Sequence, residues 1–253
     1  MGFRIFAHAL QLVLSNLGPA LNISALLYFL PVVASQIIVP PLLELNDPAA
    51  LLRSPWVLVV LLVSIAASMW VAVAWHRYVL LDEMPGAFAP PLRLGRLLPY
   101  FGRSLLLGMI GGVLGGLLYV AVAFLSILLL AARANPALIS LAFIAVAFIG
   151  LFAIAIIAYR LSITLAASAV ERPISLGEAW AATRGANGTI GLLALLSLLA
   201  IAVVAVVTSA LDAYVGVWAG ALWQLFASWI QLLAGVSIIT TLYGYYVEKR
   251  PIG

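Results

Sequence analysis

The chain has 253 residues, of which 66% are hydrophobic and only 8% are charged, and its formal net charge is +4 at neutral pH. A soluble domain carries about 25% charged residues, so this composition excludes a water-soluble globular protein and indicates a chain surrounded by lipid. The sequence contains no cysteine, which excludes disulfides, thiolate nucleophiles and cysteine-based metal sites.

An amphipathic segment comes first. In residues 3–16, polar side chains recur at Arg4, His8, Gln11 and Ser15 with helical spacing, and apolar side chains line the other side. This pattern predicts a helix that lies in the membrane surface. It does not match a secretory signal peptide, which has an unbroken apolar stretch followed by a small-residue cleavage site.

Six segments are long and apolar enough to cross a bilayer, which takes about 20 mainly apolar residues. They cover 20–39, 56–80, 104–131, 137–160, 189–211 and 219–245. The loops between them, at 39–55, 82–96, 132–136, 171–188 and 212–220, are rich in proline, glycine or charge. We therefore predict an all-α, polytopic transmembrane bundle that forms one integral membrane domain over 1–253.

The basic residues are distributed unevenly across the predicted membrane. Ten of the 12 Lys and Arg residues lie on the side that holds both termini and the second and fourth loops. They are Arg4, Arg77, Arg93, Arg96, Arg103, Arg160, Arg172, Arg184, Lys249 and Arg250, whereas Arg53 and Arg133 lie on the other side. Because basic residues concentrate in short cytoplasmic loops, we expect both termini to face the cytoplasm.

The second span ends in Trp75, His76, Arg77 and Tyr78. Aromatic residues anchor helices at the membrane interface, and long basic side chains extend to the headgroups there. This pattern predicts a cytoplasmic anchor. A proton site based on His76 is the alternative, and it is less favoured because functional ionisable groups usually lie deeper in the membrane.

Three units of similar element types follow one another, each an amphipathic segment and then a transmembrane hairpin. The amphipathic segments are 3–16, 92–104 and 175–188, and the units cover 3–83, 92–171 and 175–250. Pro99 interrupts the second segment, and Ser175 and Glu178 have the spacing of a capping box in the third. The pattern predicts three interfacial helices that form a collar on the cytoplasmic face.

Residues 160–188, RLSITLAASAVERPISLGEAWAATRGANG, combine an arginine at a helix end, an Ala-Val-acid-basic-Pro turn and a short helix that ends in Thr-Arg-Gly-x-Asn. This layout resembles bacterial six-span membrane proteins, among them the membrane domain fused to some glycerophosphodiester phosphodiesterases. The resemblance extends loosely over the whole chain and implies a bacterial cytoplasmic (inner) membrane protein. It implies no catalytic residue, because the phosphodiesterase chemistry of the fused proteins belongs to a separate soluble domain.

A glycine strip predicts close helix packing in the third span. Gly108, Gly112 and Gly116 recur at every fourth residue. In lipid, small residues let two backbones approach closely. The partner is another helix of the bundle, a different membrane protein, or a second copy of the chain in a homo-oligomer.

A polar stripe, Gln224, Ser228 and Gln231, runs along the sixth span at helical spacing. Its amides need protein partners, because an unpaired polar group in hydrocarbon costs several kcal/mol. We interpret the stripe as interhelical hydrogen bonding. The alternative is one wall of a polar cavity.

Seven arginines on the cytoplasmic side are candidate contacts for anionic lipid headgroups. They are Arg77, Arg93, Arg96, Arg103, Arg160, Arg172 and Arg184. A basic residue near an anionic membrane surface contributes about 1 kcal/mol to binding. The arginines are interleaved with carboxylates, so a solvated charged rim is the simplest alternative.

The sequence contains few of the residue patterns that are typical of catalysis or of ion transport. No ionisable residue falls in the middle of a predicted span, which disfavours a proton-driven carrier. The metalloprotease and hydrolase motifs are missing, and Asp212 has no second carboxylate with which to form a dyad. We therefore expect no catalytic residue, metal or cofactor and no nucleic-acid partner. The prediction is a non-enzymatic membrane protein that packs against lipids or partner proteins, with a transporter or permease for a lipid or small neutral solute as the alternative.

Overall fold

The computed structural model of the chain describes residues 1–43, 53–86, 89–133 and 135–252. Eight α-helices and no strands occupy these residues. The helices are α1 Gly2–Leu14, α2 Leu17–Leu43, α3 Pro55–Leu81, α4 Leu94–Ala131, α5 Pro136–Ala169, α6 Leu176–Ala182, α7 Asn187–Tyr214 and α8 Val217–Tyr246. Most of the loop predicted over 39–55, together with 87–88 and 134 in two other predicted loops, lies outside the described ranges.

Six of the helices, all except α1 and α6, are long and apolar enough to cross a membrane. They pair along the chain as the hairpins α2–α3, α4–α5 and α7–α8. This arrangement confirms the predicted all-α bundle of six spans, and the chain is a multi-pass membrane protein.

The last span, α8, is the centre of the bundle. It contacts α1, α3, α5 and α7, and 56% of its spanning window is buried in the protein, against 6% in α4 and 0% in α5. The α4–α5 hairpin is therefore peripheral and presents most of its surface to lipid.

The packed core lies at one end of the bundle, where most of the arginines are. In α3 the buried residues begin at Ala67, and in α5 they begin only at Arg160. Both chain ends lie at this same end, since the Arg4 side chain donates a hydrogen bond to the backbone oxygen of Ile252 (3.1 Å). We refer to it below as the arginine-rich end.

Helix α1 packs on protein along its inner face. Ile5, Ala9 and Val13, one turn apart, are completely buried against the α7–α8 hairpin and α2. The prediction that the apolar side of this segment rests on the membrane surface is therefore wrong for Val13. Ile5 and Ala9 were not among the residues that the sequence pattern placed on that side. Phe3, on the predicted apolar side, is exposed. The sequence pattern identifies an apolar side but does not distinguish lipid from a neighbouring helix.

The predicted interfacial helix over 92–104 is not a separate element. Its residues form the first turns of α4, a single helix of 38 residues that includes Pro99. At 1.5 Å per residue α4 is about 57 Å long, well beyond the ~30 Å of hydrocarbon. Pro99 is tolerated because it lies in the second turn, where its ring removes only one backbone hydrogen bond.

The predicted third segment does contain a short separate helix, α6, and its capping box is present. The Glu178 backbone N–H donates to Ser175 Oγ (3.2 Å), and the Ser175 backbone N–H donates to Glu178 Oε2 (2.6 Å). The bonds from the backbone and then the side chain of Ser175 lower the pKa of the Glu178 carboxyl. Glu178 is therefore ionised at neutral pH, which suits the positive first turn of a helix.

The three hairpins end in a similar backbone conformation. Asp82, Glu171 and Lys249 follow α3, α5 and α8, and all three have positive φ values (53°, 66° and 59°). A left-handed residue at this point lets later backbone N–H groups bond the last helical carbonyls, as Arg172 N does with Ala167 O (2.9 Å). The three-unit pattern and its boundaries remain a prediction.

Candidate functional site

Five charged side chains meet at the arginine-rich end and form what we call the boundary network: Arg77, Arg93, Arg96, Glu83 and Glu171. Arg77 Nε lies 2.6 Å from Glu83 and its Nη1 lies 3.2 Å from Glu171. Arg93 pairs with Glu83, and Arg96 Nη2 lies 2.7 Å from Glu171. Three guanidinium groups and two carboxylates leave one excess positive charge.

Arg77 is the buried centre of the boundary network, with only 8% of its surface exposed. Besides the two carboxylates, its Nη1 donates to the backbone oxygen of Ala169 (3.0 Å), at the end of α5. This one guanidinium therefore joins α3, the segment that follows it and the end of α5. Arginine suits the position because its planar group donates in several directions at once.

The residues next to Arg77 also point into the protein. Trp75 and His76 are completely buried, so the prediction that they anchor the helix at the lipid interface is wrong. The Trp75 indole donates to Ser237 Oγ of α8 (2.7 Å). The pattern of aromatic and basic residues at a span end is the same for a lipid anchor and for a contact with a neighbouring helix, and here α8 covers it.

His76 is held between two hydroxyl groups. Its Nδ1 lies 2.7 Å from Thr240 Oγ1, and its Nε2 lies 3.5 Å from the Tyr100 hydroxyl. The Thr240 hydroxyl donates to the Val236 carbonyl (2.8 Å), so it accepts from His76. This network assigns the proton to Nδ1 and leaves Nε2 facing the Tyr100 hydroxyl as the acceptor. The contacts fit a neutral structural histidine that connects α3, α4 and α8.

Arg160 and Arg103 also make inward contacts. The Arg160 guanidinium lies over the Trp180 ring, 4.5 Å from its centroid, and bonds the side chain of Asn187. Arg103 donates to the backbone oxygens of Thr164 (3.3 Å) and Ile174 (2.6 Å). The ends of the 160–188 motif thus contact each other, which gives that sequence pattern a structural role.

Arg172 and Arg184 are candidate headgroup residues that lie outside the boundary network and are exposed. The Arg172 side chain is 67% exposed and pairs with Glu248 (3.1 Å). Arg184 is exposed, and among the described residues its side chain makes no hydrogen bond or ion pair. The seven predicted arginines therefore divide into three groups: the boundary network, the inward pair Arg103 and Arg160, and an exposed rim of Arg172 and Arg184.

The predicted glycine strip faces away from the bundle. A Cβ atom added at Gly108, Gly112 or Gly116 would meet no atom of the described chain within 4 Å. The close approach of α4 and α5 instead depends on Gly150, over which the Leu118 side chain packs. No helix of the described ranges packs on the strip, and a protein partner for it remains a prediction.

The predicted polar stripe of α8 is bonded largely within the α7–α8 hairpin. Gln224 bonds Thr208 (2.7 Å) and Ser228 (2.8 Å), and Gln231 Nε2 donates to the Ala200 carbonyl (3.3 Å). Ser228 and Gln231 also line an open cleft of about 360 Å³ with residues of α1, α5 and α7. The lining of this cleft is mostly apolar, so it does not resemble a polar passage.

A second cleft, which we call the Trp70 cleft, opens beside the boundary network. It is narrow, with a cavity volume of about 20 Å³, and lies between α2, α3, the segment after α3 and the start of α4. Its walls are mainly apolar, and Arg77, Glu83 and Arg93 line it as well. The Trp70 side chain also lines the cleft, and its indole Nε1 is buried in the protein without a hydrogen-bond partner among the described residues. The sequence does not single out Trp70, because a tryptophan in an apolar run gives no indication that its N–H is unpaired.

Within the described part of the chain, no group of three or more His, Asp or Glu side chains is placed to hold a metal ion. No protein-family model, curated protein or solved structure matches the chain. A functional proposal therefore depends on the charges, clefts and exposed surfaces described above.

Proposed function

We propose that this chain is a non-enzymatic, multi-pass protein of the bacterial cytoplasmic membrane that binds anionic lipid at its arginine-rich end, with both termini in the cytoplasm. The observation that carries the proposal is the exposed rim, where Arg172 and Arg184 face outward at the end that holds ten of the 12 basic residues. The excess positive charge of the boundary network adds to the same field.

The orientation is tested by single cysteines, which are unique labels because the native chain has none. We expect Ala181→Cys, on the exposed side of α6, to stay unlabelled when intact cells meet a membrane-impermeant thiol reagent. Val215→Cys, 70% exposed in the turn between α7 and α8, is expected to react fully. Both cysteines should react in opened membranes, and the reverse pattern in intact cells contradicts the orientation.

Lipid binding is tested by the double variant Arg172→Gln/Arg184→Gln. Each arginine near an anionic surface is worth about 1 kcal/mol, roughly a fivefold change in affinity. We expect native mass spectrometry of the purified protein to show weaker uptake of successive phosphatidylglycerol molecules, with uptake of phosphatidylcholine unchanged. The matched control is Arg133→Gln, which removes an exposed charge at the opposite end. Equal phosphatidylglycerol uptake by the double variant and the native protein contradicts the proposal.

The transporter alternative has less support. Its candidate lining, the polar stripe, uses its amides in hydrogen bonds within α8 and to α7. A polar passage needs such groups to be free for a solute or water. The stripe therefore fits helix packing better than a permeation path.

A further inference from the structure

We propose that a pocket between α1, α3, α8 and residues 250–252, which we call the His8 pocket, binds the phosphate group of one anionic molecule. This proposal deepens the proposed function, on which it rests for the source of the phosphate, an anionic membrane lipid. The exposed rim of Arg172 and Arg184 offers charge on an open surface. The His8 pocket instead combines charge, hydrogen-bond donors without partners and enclosed space.

The first argument is space. The His8 pocket has a cavity volume of about 190 Å³, and its walls include His8 of α1, Leu80 of α3 and Tyr245 of α8. A single water needs about 15 Å³ of such volume. The pocket therefore has room for a phosphate group together with the atoms that it esterifies.

The second argument is that the walls are already in place. Residues 250–252 are tied to both neighbouring helices, because Arg4 of α1 donates to the Ile252 carbonyl (3.1 Å) and Arg250 Nη2 donates to the Leu80 carbonyl at the end of α3 (3.0 Å). The Arg250 backbone N–H also bonds the Gly244 carbonyl of α8 (2.9 Å). A pocket that is formed before the ligand arrives loses little conformational freedom on binding.

The third argument is charge. The Glu248 carboxylate lies between two guanidinium groups, 3.1 Å from Arg172 Nη1 and 2.6 Å from Arg250 Nε, so this trio has one positive charge in excess. The contact between Arg250 Nε and Glu248 Oε2 lacks the alignment of a hydrogen bond. Arg250 lines the pocket, and its Nη1 makes no hydrogen bond to the described residues. A guanidinium has five N–H donors, so Arg250 retains donors for an anion.

The fourth argument is the two neutral donors. His8 is partly buried in the wall of the pocket, and its ring makes no hydrogen bond or ion pair within the described ranges. By contrast, both ring nitrogens of His76 face hydroxyl groups. The Tyr245 hydroxyl is also without a hydrogen bond among the described residues. An imidazole and a phenol can each donate to a phosphate oxygen.

The fifth argument is level in the membrane, which favours a lipid as the source. Helix α8 has 30 residues and is about 45 Å long, which exceeds the ~30 Å of hydrocarbon by about 15 Å. Shared between its two ends, this excess places roughly the last five residues of α8 in the headgroup region. Tyr245 and the residues that follow α8 therefore lie at the level of lipid phosphates. Leu12 and Val79 give the pocket an apolar side, against which the glycerol of a lipid would pack.

The test measures how tightly the full chain, purified in detergent, holds its first lipid by native mass spectrometry. The probes are phosphatidylglycerol, phosphatidylcholine with the same acyl chains, and inorganic phosphate. Arg250→Gln removes a charge-assisted hydrogen bond, and we expect about a tenfold loss of first-site affinity for phosphatidylglycerol. His8→Leu keeps similar bulk and removes the ring donors, and we expect a loss of about fivefold.

Each pocket variant has a matched control nearby. Lys249→Gln removes the same charge from the neighbouring residue, which is exposed and lies outside the pocket, so it measures the effect of charge alone. Gln11→Leu makes an exposed polar residue of α1 apolar, and we expect it to bind the first lipid as the native protein does. Thermal unfolding shows whether each variant keeps its fold, and His8→Leu decides the test if Arg250→Gln does not. Losses no larger than those of the two controls overturn the proposal.

Inorganic phosphate distinguishes the two sources of a phosphate group. A lipid also gains from the apolar side of the pocket, so we expect millimolar phosphate to leave the first phosphatidylglycerol bound. Displacement by millimolar phosphate that requires Arg250 and His8 would support a phosphate pocket whose occupant is soluble, and it would overturn the lipid as the source.

This proposal and the proposed function fail in different ways. If Arg250→Gln and His8→Leu bind the first lipid normally while Arg172→Gln/Arg184→Gln still loses later lipids, the His8 pocket is not a site and the proposed function stands. If none of these variants changes phosphatidylglycerol binding, both proposals fall.

Discussion

Replacing Arg77 with methionine is expected to lower the free energy of unfolding by about 3–5 kcal/mol. Arg77 is buried and lies between Glu83 and Glu171. Methionine would fill similar space but would leave Glu83 and Glu171 without their shared partner and the Ala169 carbonyl without a donor. The measurement is equilibrium unfolding of the purified protein in mixed micelles, followed by circular dichroism.

The control for this prediction is Arg172→Met, which removes an ion pair from an exposed arginine. Exposed pairs are worth about 0–1 kcal/mol, so the two variants should differ several-fold in their effect. Arg77→Lys keeps the charge but not the planar geometry, and it should fall between them. Equal losses for Arg77→Met and Arg172→Met would mean that the boundary network is too well hydrated to act as a buried network.

Truncation of Trp75 to alanine is the second large effect we expect, about 3–5 kcal/mol of unfolding free energy. Trp75 is among the largest completely buried side chains, and it packs against α8 with its indole bonded to Ser237. The loss combines a cavity between α3 and α8 with an unpaired serine hydroxyl. The same unfolding measurement applies.

Trp75→Phe separates the two contributions, because it keeps most of the ring and removes only the N–H. We expect it to cost about 1 kcal/mol from the hydrogen bond, plus a smaller cavity term. Trp218→Ala, 82% exposed at the opposite end, is the matched control and should stay within about 0.5 kcal/mol of the native protein. A tolerated Trp75→Ala would contradict the tightly packed core at the arginine-rich end.

The spans could be predicted from the sequence because their signal is local. A long apolar run bounded by proline, glycine and charge becomes a membrane-crossing helix whatever its neighbours are. The capping box of α6 was equally local, since Ser175 and Glu178 are only three residues apart. The pairing of successive spans into hairpins followed from their order along the chain.

The interior of the arginine-rich end could not be predicted in the same way, because its partners are distant in the chain. Arg77 pairs with Glu171, 94 residues later, and His76 bonds Thr240, 164 residues later. A single sequence does not indicate which helix covers which face. Lipid and a neighbouring apolar helix also favour the same residues, so α1 and the glycine strip gave apolar or small-residue patterns without showing what faces them.

The packing of α1 on the α7–α8 hairpin has a consequence for biosynthesis. The ribosome makes α1 before the other helices of the described chain, and the surface that covers Ile5 and Ala9 is completed only when α8 emerges. While the intervening residues are translated, the inner face of α1 is in contact with lipid or a chaperone. Quality-control proteases would therefore recognise an incomplete chain by the uncovered inner face of α1.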